Sequence, residues 1–514
     1  MKLLARLIAL AAAAGLAATG VFYGTYAAGG SDSSCYALMA ESFASGRLQP
    51  SSPLISEVPW PDAQKTFTPG GFVPSQSHPS GFAPVCAPGF SVLLAPVVKV
   101  AGASALFYVT PAAGAMLAWL TYVAGTTLAG PAAGAMAAIA IATSPAVLYQ
   151  VVQPMNDITT AALWMAVFAG LISRRFVLAG WCCGLALLVR PNLLPLAAVS
   201  ALFVLCIDRR KVLPFGLAAL PFALAVLWLN DGLYGGPFRS GYGSLGRLFG
   251  LVSFPTNASR YFRWLIETQT PFPLLAFASP FVVDRSRRPM VWLALALIVS
   301  TLLIYFIYVP FDDWSYLRFL LPAIGLMLVL ASAVIVHFAW GAAERSSGSL
   351  RLRRVVAPAT VCALTIGLAI FGIRTATARF AFTMHALEQR YRSAGHVVRE
   401  QLPPHAVVLS GWDSGAVRFH GRKEALVWEG LDPAWLDRSV DWLNSHGHTP
   451  YILVESWEEA GFRSRFGNQS GLGKLDWPPK YEIDRIVRVY DPADRERYGR
   501  GDRLITQYLW PLRK

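Results

Sequence analysis

Over the first 373 residues, long apolar runs alternate with short polar breaks, most of them basic, a pattern that predicts repeated membrane crossing. The runs are Leu3–Ala28, Ala105–Leu128, Pro131–Leu148, Ile158–Ile172, Phe176–Val189, Leu193–Ile207, Val212–Leu229, Phe272–Val283, Met290–Val309, Leu320–Trp340 and Val355–Ile373, eleven in all. Leu3–Ala28 exceeds the apolar core of a secretory signal, about 7–15 residues, and reads as a retained anchor. Phe176–Val189 is short, so Arg190-Pro191-Asn192 is either a loop or a break in one long tilted helix. Gly89–Val100 is shorter still. If it crossed, three basic loops would change sides, so it is expected to be a juxtamembrane or re-entrant helix.

Residues 29–104 then form a long external segment, with Trp60, Phe67, Phe72 and Phe82 expected as interfacial anchors. Beyond Ile373 the pattern changes. Short β-rich runs (Val407–Leu409, Tyr451–Val454, Ile486–Val489) alternate with helical stretches such as Pro433–Asn444, and basic and acidic residues nearly balance. The expected fold is therefore a polytopic α-helical membrane protein of about eleven spans plus juxtamembrane helices, residues 1–373, followed by a small soluble α/β domain, residues 374–514.

Composition agrees: 54% of residues are hydrophobic and 14% charged. The net charge of +14 would suggest nucleic acid if it were spread over a soluble surface. It is concentrated instead in the loops assigned to the cytosol, where Lys2, Arg6, Arg174, Arg175, Arg209, Arg210, Lys211, Arg285, Arg287, Arg288, Arg345, Arg351, Arg353 and Arg354 face only Asp208, Asp284 and Glu344. This positive-inside bias calls for the bilayer and for no nucleic-acid partner. It places Ser347 in the cytosol and Gly70, Gly243, Lys514 and the C-terminal domain outside.

The other acids of the membrane portion, Asp32, Glu41, Glu57, Asp62, Asp157, Asp231, Glu267, Asp312 and Asp313, all fall on the external side. A coupled transporter would carry acids at mid-membrane and duplicated halves, and neither is visible. Acids rimming one surface suit an enzyme whose site lies at the outer leaflet; a lipid or solute transporter and a membrane-anchored envelope scaffold are the alternatives. Asp32 lies in GGSDSSCYALMAESFASG, directly after the anchor, with Tyr36 one helical turn on and Glu41 further along. It reads as an N-cap, with Ser31 and Ser33, or as a catalytic carboxylate. Asp157 in QVVQPMNDITT offers the same choice, with Asn156. Arg190 beside Pro191 suits either an anion or snorkelling to the interface. Arg239 in YGGPFRSGY and Arg318 in FDDWSYLRFLLP are external cations near aromatic residues, the latter with Asp312 and Asp313 as structural partners, and His78 is a loop histidine of weak signal.

Cys182, Cys183, Cys206 and Cys362 lie in apolar runs as packing residues, whereas Cys35 and Cys86 share the external segment, where a disulfide can form. His446-Gly-His448 lacks a third metal ligand, and Asn257-Ala-Ser and Asn468-Gln-Ser are glycosylation acceptors by pattern alone. No nucleotide-binding or zinc-protease motif is present.

Taken in order, Asp32 with Tyr36, Ala87-Pro88-Gly89-Phe90 opening the re-entrant helix, Met155-Asn156-Asp157, GLALLVRPN at residues 184–192 and Arg318-Phe319-Leu320-Leu321-Pro322 resemble the GT-C superfamily of integral-membrane glycosyltransferases. The similarity is to the bacterial branch of protein O-mannosyltransferases, aminoarabinose transferases and rhizobial galacturonosyltransferases, and covers roughly residues 1–340. Ser33 stands where many members carry a second acid, and Val85 and Cys86 stand where some place a lysine. The resemblance implies a polyprenyl-phosphate-linked sugar donor, used at the outer face of the bacterial cytoplasmic membrane. The acceptor is an envelope lipid, polysaccharide or protein, and a divalent metal ion is the one conceivable cofactor. In that frame Asp32 is the base, Asp157 its orienting partner or the alternative base, Arg190 the phosphate ligand, and Tyr36, Arg239, Arg318 and His78 substrate contacts.

Overall fold

The computed structural model describes residues 2–346 and 350–510; Ser347, Lys514 and the side chains of Leu245 and of residues 344–354 lie outside the described residues. The protein is a multi-pass, mostly helical membrane protein. All eleven expected spans fall on apolar helices, but among the described residues six are by themselves long and apolar enough to cross: Lys2–Phe22, Ala103–Ala129, Arg209–Tyr234, Arg285–Phe306, Trp314–Ala343 and Val355–Ala378. Asn156–Ile172, Phe176–Val189, Pro191–Ile207 and Phe272–Val282 are shorter.

Pro131–Leu148, expected as one span, is instead two helices, Pro131–Ala142 and Pro145–Val151, bent by 57°. Pro145 has no N–H to donate and drives Ser144 out of the helical region, to φ −63° and ψ 124°. The break at Arg190 has the same cause. The helix Phe176–Val189 stops there, a 3-10 turn Pro191–Leu193 follows, and the helix Leu194–Ile207 begins anew.

Contacts divide the chain into two compact units. The first comprises Met1–Gly24, Phe107–Leu227 and Gly243–Met384. Its helix Asn156–Ile172 is buried along nearly its whole length. Small residues let the helices Val109–Ala129 and Pro131–Ala142 close up: a Cβ on Gly134 would lie 2.2 Å from Thr126 Oγ1 and 2.5 Å from the Tyr122 carbonyl.

The second unit comprises Thr25–Leu106, Trp228–Tyr242 and His385–Lys514. A short hairpin pairs β1 (Phe72–Pro74) with β2 (Phe82–Pro84). The main sheet contains β3 (Ala406–Ser410), β4 (Glu424–Leu426), β5 (Thr449–Glu455), β6 (Tyr481–Ile483), β7 (Val487–Tyr490) and β8 (Gln507–Leu509), in the order β4-β3-β5-β7-β6-β8. Strand β3 runs parallel to both its neighbours, while β7 is antiparallel to β5 and β6. All five residues of β3 are buried, because the sheet is covered on both faces. Ala406 and Val408 point toward Ala394, Val397 and Val398 of the helix Met384–Gln401, and Val407 and Leu409 toward the opposite core.

That opposite core contains Leu54, Ile55, Trp60 and Phe67. The expected interfacial anchors are therefore interior residues. Trp60, Phe67, Phe72 and Phe82 are all buried, Trp60 donates its indole N–H to Thr66 Oγ1 at 3.0 Å, and its ring meets Trp442 edge-on at 5.8 Å.

Cys35 and Cys86 form a disulfide across a sequence separation of 51, joining the helix Gly30–Ala44 to the turn before Gly89–Ala101. A cross-link closing a loop of that length stabilises by about 2–4 kcal/mol, chiefly by restricting the unfolded chain. Cys35→Ser and Cys86→Ser are each expected to lower the melting temperature of the detergent-solubilised protein, the double variant no further than either single one. Free thiols at Cys35 and Cys86 in the native protein would contradict the bond. Of the remaining cysteines, Cys182 and Cys183 are buried as packing residues, but Cys206 and Cys362 lie on the helix surface.

Candidate functional site

In the first unit, two chain breaks bring Asp157 and Arg190 together. Arg190 precedes proline and takes φ −144° and ψ 84°, which ends its helix. Its Nη2 donates to Asp157 Oδ1 at 2.6 Å and to Asn156 Oδ1 at 2.8 Å, and Asn156 Nδ2 in turn donates to the Val189 carbonyl at 3.3 Å. Asp157 lies in the first turn of its helix, where the helix dipole favours a carboxylate, but the N-cap position is Met155 and Asp157 is not the cap. The pair is interior, with side-chain exposures of 10% for Arg190 and 0% for Asp157, so Arg190 does not snorkel. Asp157 Oδ2 has no hydrogen-bond partner among the described residues.

An aromatic floor underlies the pair. The Arg190 and Arg318 guanidinium carbons each lie 5.3 Å from the Phe319 ring centroid, and Arg318 is also 5.1 Å from that of Tyr316. Tyr305 stacks on Phe319 at 5.0 Å while its hydroxyl accepts from Asn192 Nδ2 at 3.2 Å. Asp313 accepts from the Ser315 N–H at 2.8 Å, capping the 3-10 helix that carries Arg318. Two guanidinium groups over a shared ring, one of them oriented by a buried carboxylate, suit recognition of an anion. Asn156, Asn192, Tyr305 and Phe319 were not singled out as contacts from the sequence. Tyr305 is inconspicuous inside an apolar run, whereas the polar Asn192 beside a proline break was a usable signal.

Asp32 and Tyr36 belong to the second unit. Asp32 is half-buried in the first turn of Gly30–Ala44, whose N-cap position is Gly29. Asp32 is not the expected N-cap because the helix begins two residues before it, and the cap position itself is closed to a side chain: a Cβ on Gly29 would lie 2.0 Å from the Tyr391 ring. The Ala28 N–H next door donates to His420 Nε2 at 2.9 Å. Tyr36 is buried, its ring edge-on to Phe90 at 5.1 Å, and its carbonyl accepts from Ser91 Oγ at 2.9 Å. Glu41 takes both ends of the Arg422 guanidinium, at 2.6 and 2.8 Å.

His78 is exposed in a turn, where its Nδ1 accepts from the Ser80 N–H at 3.3 Å. Arg239 is exposed too, donating to Gln76 Oε1 at 3.1 Å, which brings it to the same turn. Asn257 is no glycosylation acceptor, since it is buried with Nδ2 directed at the carbonyls of Tyr305, Phe306 and Tyr308. Among the described residues no three His, Cys, Asp or Glu side chains are grouped to hold a metal ion, and His446 stacks on Trp442 at 4.0 Å.

No family model matches the chain, and no curated protein matches it in sequence. Solved structures match it in fold. ArnT from Cupriavidus metallidurans bound to undecaprenyl phosphate superposes with a TM-score of 0.58 at 14% identity, over 90% of this chain and 94% of that one. The same protein in its apo state gives 0.57 at 15% identity, over 92% and 95%. The oligosaccharyltransferase of Archaeoglobus fulgidus gives 0.54 at 13% identity, over 93% of this chain and 73% of the other. The chain thus shares the fold of these membrane proteins, the fold that the resemblance in sequence leads one to expect.

Proposed function

We propose that the protein is a glycosyltransferase that moves a sugar from a polyprenyl-phosphate carrier to a cell-envelope acceptor at the outer face of the bacterial cytoplasmic membrane. The observation that carries this reading is the likeness in fold, over nine-tenths of both chains, to an ArnT whose structure holds undecaprenyl phosphate. The Arg190 and Arg318 cluster supports it, being suited to a lipid phosphate with Asp157 holding the Arg190 fork in place.

In the proposed inverting step the Asp32 carboxylate takes the proton of an acceptor hydroxyl, and the oxygen attacks the anomeric carbon opposite the phosphate. The bond from anomeric carbon to phosphate oxygen breaks, and the electron pair leaves on polyprenyl phosphate, stabilised by the guanidinium groups. Because the donor is a lipid, the chain needs no nucleotide site. The sheet-bearing part of the second unit lies outside in this reading, in keeping with the charge asymmetry of the loops.

The test is direct. Protein reconstituted with polyprenyl-phospho-sugars and an envelope extract should release polyprenyl phosphate and label an acceptor. Absence of release with every donor, from protein that is folded and inserted, would overturn the proposal.

A further inference from the structure

The carboxyl ends of β3 and β5 flank the point where the sheet changes direction: from β3 the chain moves to β4 on one side, then returns to β5 on the other. Open α/β sheets bind ligands at such crevices. Here the loops are Gly411-Trp412-Asp413 and Glu455-Ser456-Trp457-Glu458. Asp413 and Glu455 are fully buried, Glu458 nearly so, and Glu388 is half-buried on the adjoining helix. The cation facing them is Arg390, whose Nε lies 2.9 Å from Glu455 Oε1. Glu458 is satisfied by the N–H groups of Trp412 and Glu455, each at 2.9 Å. Asp413 is not satisfied. Among the described residues neither of its carboxylate oxygens has a hydrogen-bond partner, and burial together with Glu455 and Glu458 pushes its carboxyl well above the usual range.

Above these acids stand two tryptophans, Trp412 47% and Trp457 60% exposed, with rings edge to face at 5.9 Å. Exposed tryptophan is unusual, and these two are not loose. The Trp457 indole N–H donates to Glu455 Oε2 at 2.6 Å and that of Trp412 to the Tyr391 hydroxyl, so both polar edges are anchored inward while ring surface faces solvent.

We propose that this crevice binds a sugar ring that stacks on Trp412 and Trp457 and offers hydroxyl or amino hydrogens to Asp413. Carboxyl groups outnumber cations here, so the crevice calls for a donor-rich ligand and, among the described residues, offers uronic acids and anionic headgroups no free cation. The Tyr391 ring that receives Trp412 also closes on Gly29, three residues before Asp32, so the sugar lies beside the helix carrying the proposed base. The inference deepens the glycosyltransferase reading, on which it rests for the name of the ligand: it makes the acceptor a glycan.

Binding of the full chain in nanodiscs to an array of neutral, amino- and uronic-acid glycans tests it. Neutral or amino sugars should bind and uronic acids should not. Trp457→Ala and Trp412→Phe should each weaken binding by at least about fivefold, and Asp413→Asn should change the preference between neutral and amino sugars. No glycan bound, binding indifferent to both tryptophans, or tryptophan-dependent binding to sugar-free vesicles instead would each overturn the proposal. Donor binding, read separately with labelled polyprenyl phosphate, bears on the transferase reading alone, so the two fail independently.

Discussion

Asp32→Asn is expected to give a folded, membrane-inserted protein that still binds polyprenyl-phospho-sugar but transfers the sugar at least about a hundredfold more slowly. General bases contribute about 10²–10⁴-fold in rate, and asparagine keeps the shape of the side chain without its basicity. The N-cap position is Gly29, so the substitution leaves the cap residue itself in place. The stability lost includes the carboxylate's interaction with the helix N-terminus, about 0.3–1 kcal/mol. A melting curve and single-turnover transfer measured on the same preparation separate the two effects. Near-normal turnover would remove Asp32 from the mechanism. A hundredfold loss in Asp157→Asn alone would reverse the roles of the two acids.

Arg190→Ala should have the largest effect on stability. It leaves Asp157 as a buried carboxylate without its cation, which costs about 3–5 kcal/mol. Loss of transfer in that variant therefore says little about phosphate binding. The informative variant is Asp157→Asn combined with Arg190→Gln, which removes both charges, keeps the shape of residue 157 and a hydrogen-bonding amide at residue 190, and is expected to recover most of the stability without recovering donor use. Arg190→Lys should sit between, charged but without the fork that reaches Asp157 and Asn156 together. If the double variant regained turnover along with stability, the pair would be structural only.

Both members of that pair were conspicuous in the sequence, each for its own reason: an acid opening an apolar run, and an arginine beside a helix-breaking proline. Their union was not legible, because 33 residues separate them and no local periodicity relates a helix start to a helix end. The break at Pro191 was legible since proline acts locally, and Pro145 carried the same signal within a run that hydropathy alone makes continuous. The strands around Val408, Tyr451 and Val489 were legible as short β-rich runs. Trp60 and Phe67 were misread for a physical reason. An aromatic in a proline-rich external segment looks the same whether it meets a bilayer or a sheet, and this sheet is encoded far downstream. Gly29 is a similar case, because the tyrosine that forbids a side chain there is distant in the chain.

That distance also sets a schedule for biogenesis. Phe67 lends its carbonyl to Arg418 across 351 positions of chain, so the segment that follows the first apolar helix leaves the ribosome long before the strands that cover it. At about 5–20 residues per second the interval is roughly 20–70 s. Throughout that time Leu54, Ile55, Trp60 and Phe67 await their apolar partners, while the later apolar helices are still being threaded into the bilayer. Cys35 and Cys86, by contrast, emerge close together and can be joined early. The disulfide thus doubles as a holding device for the nascent chain, keeping the helix of Asp32 against Gly89–Ala101 until the sheet arrives to close over the segment.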